Sequence, residues 1–538
     1  MTRNLKPLLV LLWTAPAFSS IPQPVRVEGG MVIGVAEPMG GVQVFRGIPY
    51  AAPPVGDLRW RPPEPVQPWQ GVRQAADFAP EAVQDETQDY NTTSFAYPES
   101  QSVSEDCLYL NIWTAADSVR DRRPVMLWIH GGGFSWGGGG RGAYDGEALS
   151  RKGVVVVTIN YRLNVFGFLA HPELSRESPR GVSGNYGLLD IIAAIKWTRR
   201  NIAAFGGDPD RITIFGESAG SIAVSALVAS PLVKGDFKGA IAESILFMEA
   251  RKLADAEVEG ARFLGATGAR SIGELRALSA DRLFAAYVKS DAGIKTMPVV
   301  DNWVLDGDVF SAEARGSQNN VPILTGSNSD EGSTVVGPVS APLFIERSRQ
   351  IYGAGLDRFL SLYPAVTDLE AAQSQLAGFR DRILWQHMNW AALHTRNHNR
   401  AYLYFFTHAP PLAPGSHFRN RDGGHLPGGI GARHEAEYCY AFDSLAHVKN
   451  PWRPIDAHLA DVMSSYWANF AAKGDPNGDG LPMWPVYGSS REDVMELGDR
   501  VAAVSPVLSD AKARFWADEY DGNPGGIPDV YDWNTIRY

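Results

Sequence analysis

The stretch Ile212-Thr213-Ile214-Phe215-Gly216-Glu217-Ser218-Ala219-Gly220 decides how this chain folds. Ile212–Phe215 is β-branched or aromatic and nearly continuous in apolar character, which predicts a buried strand. A small, apolar, helix-type run follows and predicts a helix over Ser218–Ala229. Between the two lies G-x-S-x-G, a common pattern that gains meaning from the strand before it and the helix after it. The sharp turn forces Ser218 into a strained backbone conformation and pushes its hydroxyl clear of the sheet. Gly216 and Gly220 lack the Cβ atoms that would collide with the neighbouring strand and helix. The amide of Ala219 opens the helix, where N–H groups are unpaired and the dipole is positive, so it can stabilise an oxyanion.

Working outward, strands are expected at Val125–Ile129, Val154–Ile159, Pro322–Thr325 and Ala401–Phe406. Helices are expected over Leu188–Phe205 and Ala254–Leu264. This alternation predicts an α/β fold, with a large, mostly parallel central sheet flanked by helices. Residues 407–433, rich in Pro, Gly and His, read as a long loop of the kind that is often functional. No repeat, Ser/Gly linker or charge block divides the chain, so residues 20–538 read as a single domain. Residues 1–19 read as a secretory signal peptide: Arg3 and Lys6, the apolar run Leu8–Trp13, then small residues. Export to a secreted or periplasmic location is the expectation. No apolar run is long enough to span a bilayer, so stable membrane insertion is not expected. With 49 Lys+Arg against 60 Asp+Glu the chain is acidic and shows no basic stripe, which argues against nucleic-acid binding. Two cysteines exclude a disulfide scaffold and leave no thiol set for zinc or iron–sulfur.

Strand Val125–Ile129 runs straight into His130-Gly131-Gly132-Gly133-Phe134. Glycines here let the backbone approach a substrate and turn successive N–H groups towards one point. That is what a developing alkoxide needs, so Gly132, Gly133 and Ala219 are expected to form a three-donor oxyanion hole. A phosphate loop would need G-K-[ST], which is absent. The G-x-G-x-x-G match at Gly137, Gly139 and Gly142 lies well past the strand end and reads as a flexible loop.

A serine needs a base, and the base needs a carboxylate to hold it. An elbow of this kind sits in a fold whose chain order is Ser, acid, His. The strand Pro322–Thr325 leads to Asp330 and Glu331, and the residues alone leave both open as the acid. His387, His394 and His398 precede Ala401–Phe406 on a helical stretch and read as surface residues. The base is expected after that strand, which leaves His408, His417, His425, His434, His447 and His458.

The chain resembles the type B carboxylesterases, the family that includes cholinesterases and many bacterial esterases and has the α/β-hydrolase fold. The resemblance rests on Phe45–Ala51 with Leu58-Arg59-Trp60, Ser104–Asn111, Asn160-Tyr161-Arg162, and Asn201–Pro209 leading into the elbow. It implies a serine carboxylic ester hydrolase with Ser218, Glu331 and His434 as its triad, acting through an acyl-enzyme. It also implies that Glu437 and Ser244 support the triad from behind, and that Arg46 and Glu105 form a buried structural ion pair. No metal or organic cofactor is implied, and the partner is a small-molecule ester. Two departures follow from the same comparison. Ala82 stands where relatives carry the disulfide partner of Cys107, so Cys107 and Cys439 are expected to be free thiols. Ile245 stands where a glycine is usual, ahead of a shortened segment, which makes any relative's specificity unsafe to transfer. The same triad could serve an amide, carbamate or polyester bond. A non-catalytic binding protein on this scaffold would usually lack a triad member, and here all three are present.

Asp475 to Gly480 resembles the start of a calcium loop, but Val486 occupies the twelfth position, so it reads as a turn. Most aromatic residues are assigned to the core, with Phe134 and Trp136 placed near the pocket mouth.

Overall fold

The protein is described here by a computed structural model covering residues 21–37, 40–85, 102–246, 251–290, 294–334, 336, 339–413, 430–505 and 508–522. Residues 1–19, read above as a signal peptide, and His417 and His425 lie outside the described residues.

Its backbone is one sheet of 11 strands. In chain order these are β1 (Val35–Ala36), β2 (Gln43–Pro49), β3 (Tyr109–Thr114), β4 (Arg123–Ile129), β5 (Val155–Ile159), β6 (Gly207–Glu217), β7 (Gly239–Glu243), β8 (Ile323–Asn328), β9 (Ala401–Phe406), β10 (Val494–Leu497) and β11 (Val501–Val504). Across the sheet they lie in the order β11-β10-β9-β8-β7-β6-β4-β5-β3-β2-β1. From β10 to β5 every pairing is parallel, and antiparallel pairs close both margins. A separate small sheet joins Val25–Val27, Gly30–Ile33 and Val72–Gln74.

Side chains alternate across the sheet and build a core on each face. Val125, Leu127, Ile129, Ile212 and Ile214 face helices α1 (Tyr186–Asn201), α2 (Ala219–Ala229) and α3 (Asp368–Arg396). Met126, Trp128 and Phe215 face the other way, onto Leu459, Met463 and Trp467 of α4 (Pro454–Lys473). The central strands are buried on both faces, which is why they read as near-continuous apolar runs. Among the described residues no helix is long and apolar enough to cross a membrane.

Several expectations need correction. Arg46 does not pair with Glu105: its Nη2 lies 2.7 Å from Glu37. Glu105 is held by Arg59, at 2.6 Å from Nε and 2.5 Å from Nη2, because the Leu58-Arg59-Trp60 block folds back onto Ser104–Asn111. His387 and His394 are not surface residues. Both are fully buried on α3, where each imidazole bonds through both nitrogens. His398, in the turn after the helix, is exposed as expected. The Gly137–Gly142 loop is packed rather than open: the amides of Gly137 and Gly139 donate to Gln84 (2.8 Å) and Asn160 (2.7 Å). A Cβ on Gly139 would meet the backbone of Ile159 at 2.8 Å. Phe134 is buried against Phe168 and Tyr161, and Trp136 is buried beneath Arg141. Asp475 and Asn477 bond within their own loop and to Trp484, as a turn does. Cys107 and Cys439 are both free and buried.

Candidate active site

The parallel strands end along one edge of the sheet, and the candidate residues collect there. Ile129 lies beside Gly216, Glu217 beside Glu243, and Glu243 beside Gly326. The segments that follow β4, β6, β7 and β8 are therefore neighbours, although they lie far apart in sequence.

Ser218 follows β6 with φ +55° and ψ −121°, a conformation that is costly for a residue with a Cβ. Its neighbours hold it there. Its N–H donates to the Glu243 carbonyl at 3.0 Å, and its own carbonyl accepts from Ile222 at 2.9 Å, opening α2. A Cβ on Gly220 would fall 2.0 Å from the Ile129 carbonyl oxygen, and one on Gly216 would fall 2.6 Å from the same atom. These two glycines let the elbow lie against the end of β4.

His434 lies on the segment after the 414–429 stretch. Its Nε2 is 2.9 Å from Ser218 Oγ, and its Nδ1 is 2.6 Å from Glu331 Oε2. With Nδ1–H donating to the carboxylate, Nε2 accepts the serine proton. Burial by itself would lower this imidazole's pKa. The charge and hydrogen bond of Glu331, with Glu435 and Glu437, outweigh burial and hold it above the ordinary histidine value. Glu331 Oε1 accepts from the Asn328 amide at 2.9 Å, so both its oxygens are fixed.

The pair left open by the sequence is thus separated by geometry. Asp330 turns away from His434, accepts from the Ala432 amide at 3.0 Å and from Ser329 Oγ at 2.6 Å, and pins the loop that carries the imidazole. Of the other histidines on the shortlist, His408 is clamped between Asp456 and Asp499. His447 sits 3.7 Å from Asp145, and His458 is exposed on α4.

The glycine loop lies beside Ser218: a Cβ on Gly131 would come within 3.1 Å of the serine's Cβ. Gly132 and Gly133 take φ +98° and +58°. A Cβ on Gly132 would strike the Trp136 carbonyl oxygen at 2.1 Å, so this turn requires glycine. Among the described residues, nothing accepts the N–H groups of Gly132, Gly133 or Ala219. Tyr161 supports the loop from below by donating to the His130 carbonyl at 2.8 Å.

Behind His434, Ser244 Oγ donates to Glu437 Oε1 at 3.0 Å, and Asn328 Nδ2 donates to Glu437 Oε2 at 2.5 Å. Burial and the charge of Glu331 push the Glu437 carboxyl up to about 7. Glu217 reaches to 3.3 Å from His434 Nε2, and burial, with the charges of Glu435 and Glu437, raises its pKa well above the usual carboxyl range. Sequence reasoning missed Glu217, Tyr161, Asn328 and His387. Glu217 occupies the variable position of G-x-S-x-G, and the other three matter through contacts between segments more than 30 residues apart.

The sheet order and the strand–serine–helix elbow define an α/β-hydrolase fold. The profile of the carboxylesterase family matches residues 22–351 and 364–516. The fumonisin B1 esterase of Sphingopyxis macrogoltabida is 37% identical over 499 residues, covering 89% of this chain and 87% of its own. The para-nitrobenzyl esterase of Bacillus subtilis (strain 168) is 33% identical over 516 residues, covering 92% and 98%. Among solved structures, the carboxylesterase of Geobacillus stearothermophilus superposes with a TM-score of 0.74 at 33% identity, covering 92% of this chain and 99% of that one. This chain belongs to the carboxylesterase family, and it is a carboxylic ester hydrolase.

Proposed function

We propose that the protein cleaves its ester through an acyl-enzyme built on Ser218, with His434 as general base and acid and Glu331 as the group that orients it. The contact that carries this reading is the continuous line Ser218 Oγ to His434 Nε2 (2.9 Å) and His434 Nδ1 to Glu331 (2.6 Å), on an elbow that presents the serine. As Ser218 attacks the carbonyl carbon, its proton passes to Nε2, and Glu331 stabilises the imidazolium without accepting the proton. The carbonyl oxygen takes on negative charge opposite the N–H groups of Gly132, Gly133 and Ala219. His434 then gives its proton to the departing alcohol. Water enters, loses a proton to His434 and attacks the acyl-serine, which releases the acid and restores Ser218. Glu437 and Ser244 act from behind by fixing the segment that carries His434.

Relatives named for fumonisin B1 and for para-nitrobenzyl esters support a carboxylic ester as the bond that is cut. The N-terminal pattern supports removal of residues 1–19 on export, leaving residues 20–538 as one catalytic domain in a secreted or periplasmic setting. The mass of the mature chain in the culture fluid or periplasm checks this.

Rapid mixing with para-nitrophenyl acetate tests the mechanism. A burst near one equivalent of nitrophenol in the wild type, absent in Ser218→Ala, is expected. Equal hydrolysis by both proteins would overturn the reading.

A further inference from the structure

We propose that His387 is a positioning residue for the reaction, its imidazole N–H fixing Ser244 and, through Ser244 and Glu437, the segment that carries His434. The inference rests on the roles given above to Ser218, His434 and Glu331.

Ser244 follows β7 in a left-handed conformation, φ +78°. Without a glycine's freedom it needs contacts to stay there. Its N–H donates to the Gly326 carbonyl at 2.8 Å, its Oγ donates to Glu437, and its carbonyl accepts from His387 Nε2. The proton count at His387 fixes the direction of these bonds. Nδ1 lies 2.5 Å from Thr325 Oγ1, and burial pushes the imidazole down to about 4, so at neutral pH the ring carries one proton. A carbonyl can only accept, so that proton sits on Nε2, and Nδ1 faces the Thr325 hydroxyl, whose single proton it shares with the Ala242 carbonyl at 3.0 Å.

From Ser244 the network continues without a break. Glu437 receives Asn328 Nδ2, which also donates to the Arg433 carbonyl at 2.8 Å, and the Asn328 N–H donates to Glu331. The helix also grips the next residue, because Ile245 packs with Phe379 and Ile383 of α3. Thus α3 holds the chain after β7 with a hydrogen bond at Ser244 and an apolar seat at Ile245. A helix otherwise remote from the chemistry thereby sets the position of Glu437.

The consequence can be read through His434. Charged groups facing this cluster are Glu217 from the end of β6, Glu243 from β7, Glu331 from the loop after β8, and Arg433 and Glu435 from the segment itself. Tyr404 of β9 faces it as well, and Arg141 acts on Glu435. If Ser244 is released, Glu437 loses a donor and takes up a proton more readily. Its charge then no longer helps to keep the proton on His434, and the acid limb of kcat/KM moves to lower pH.

The test compares His387→Phe and His387→Gln, assayed with para-nitrophenyl acetate across pH, with active sites counted by the burst and folding checked by thermal melts. His387→Gln can present an N–H near the position of Nε2, while His387→Phe cannot. The expected result is an about tenfold fall in kcat/KM for the Phe variant, the size of one lost buried hydrogen bond. A downward shift of its acid limb should accompany the fall, and the Gln variant should recover both. In a Glu437→Gln background the limb should no longer respond to His387→Phe. If the Phe variant does not fold, Thr325→Val, which removes the hydroxyl that holds Nδ1, should give a smaller change in the same direction. A folded Phe variant with wild-type kcat/KM and an unmoved limb would overturn the inference, as would a Gln variant as impaired as Phe. Failure of the underlying mechanism would look different, with Ser218→Ala remaining active.

Discussion

Ser218 and His434 show how much chemistry a few tenths of an ångström organise. The serine's left-handed backbone aims Oγ at Nε2, and the 2.6 Å contact with Glu331 selects the tautomer that can receive the proton. Glu331→Gln should keep the shape but favour the wrong tautomer, and kcat should fall about 10³–10⁴-fold with KM little changed in steady-state assays. Because the carboxylates hold His434 above the ordinary imidazole value, the acid limb of kcat/KM should lie above pH 6.5. The base works only when deprotonated, so activity drops as pH falls through that limb. At this scale the sequence was partly legible. The elbow announced Ser218 because a local pattern forces the backbone. Asp330 and Glu331 are adjacent and chemically alike, so the residues alone left both open; the bond of Glu331 to His434 and the pairing of Asp330 with Ala432 separate their roles. The resemblance to a family supplied His434, whereas residue type alone left it among six histidines.

At the scale of elements, the strand-to-loop junctions do the positioning. Gly220→Ala would drive a Cβ into the Ile129 carbonyl, and a loss of about 1–3 kcal/mol should appear as a lower urea midpoint. Gly132→Ala, at φ +98° and with the Trp136 carbonyl oxygen 2.1 Å from the new Cβ, should lower the urea midpoint as well and also lower kcat about 10²–10³-fold, because it turns an oxyanion donor away. Strands Val125–Ile129 and Ala401–Phe406 were plain in the sequence because burial on both faces makes them continuous in apolar character. Strand β7 was not: Gly239–Glu243 holds one β-branched residue and two alanines, and its place between β6 and β8 makes it a strand. The same limit misplaced His387 and His394. A histidine on a helix reads as a surface group until the partner of each nitrogen, on another element, is seen.

The whole molecule places its titrating groups under opposing demands. His387 must be neutral in the folded state, with its imidazole pushed down to about 4, while an unfolded chain would bind that proton near pH 6.5. A histidine with a lowered folded value makes stability rise with pH across this window and fall as pH drops through it. Relative to His387→Gln, the wild type should therefore lose about 2 kcal/mol between pH 7.5 and pH 5, measured by urea unfolding at both. The buried carboxyls Glu217, Glu243 and Glu437 act in the other sense, since their raised values favour the fold at low pH and lose that contribution as pH rises. Neither set was visible in net charge or composition, because burial and neighbours come from the sheet order, and the sheet order joins segments up to hundreds of residues apart.

If one serine carries the acyl group, peptide mapping of the protein after reaction with diethyl para-nitrophenyl phosphate should find one equivalent of phosphoryl label on the peptide containing Ser218. Esterase activity should be lost in step with labelling, and Ser218→Ala should take up no label. Stoichiometric inactivation with the label on any other residue would contradict that role for Ser218.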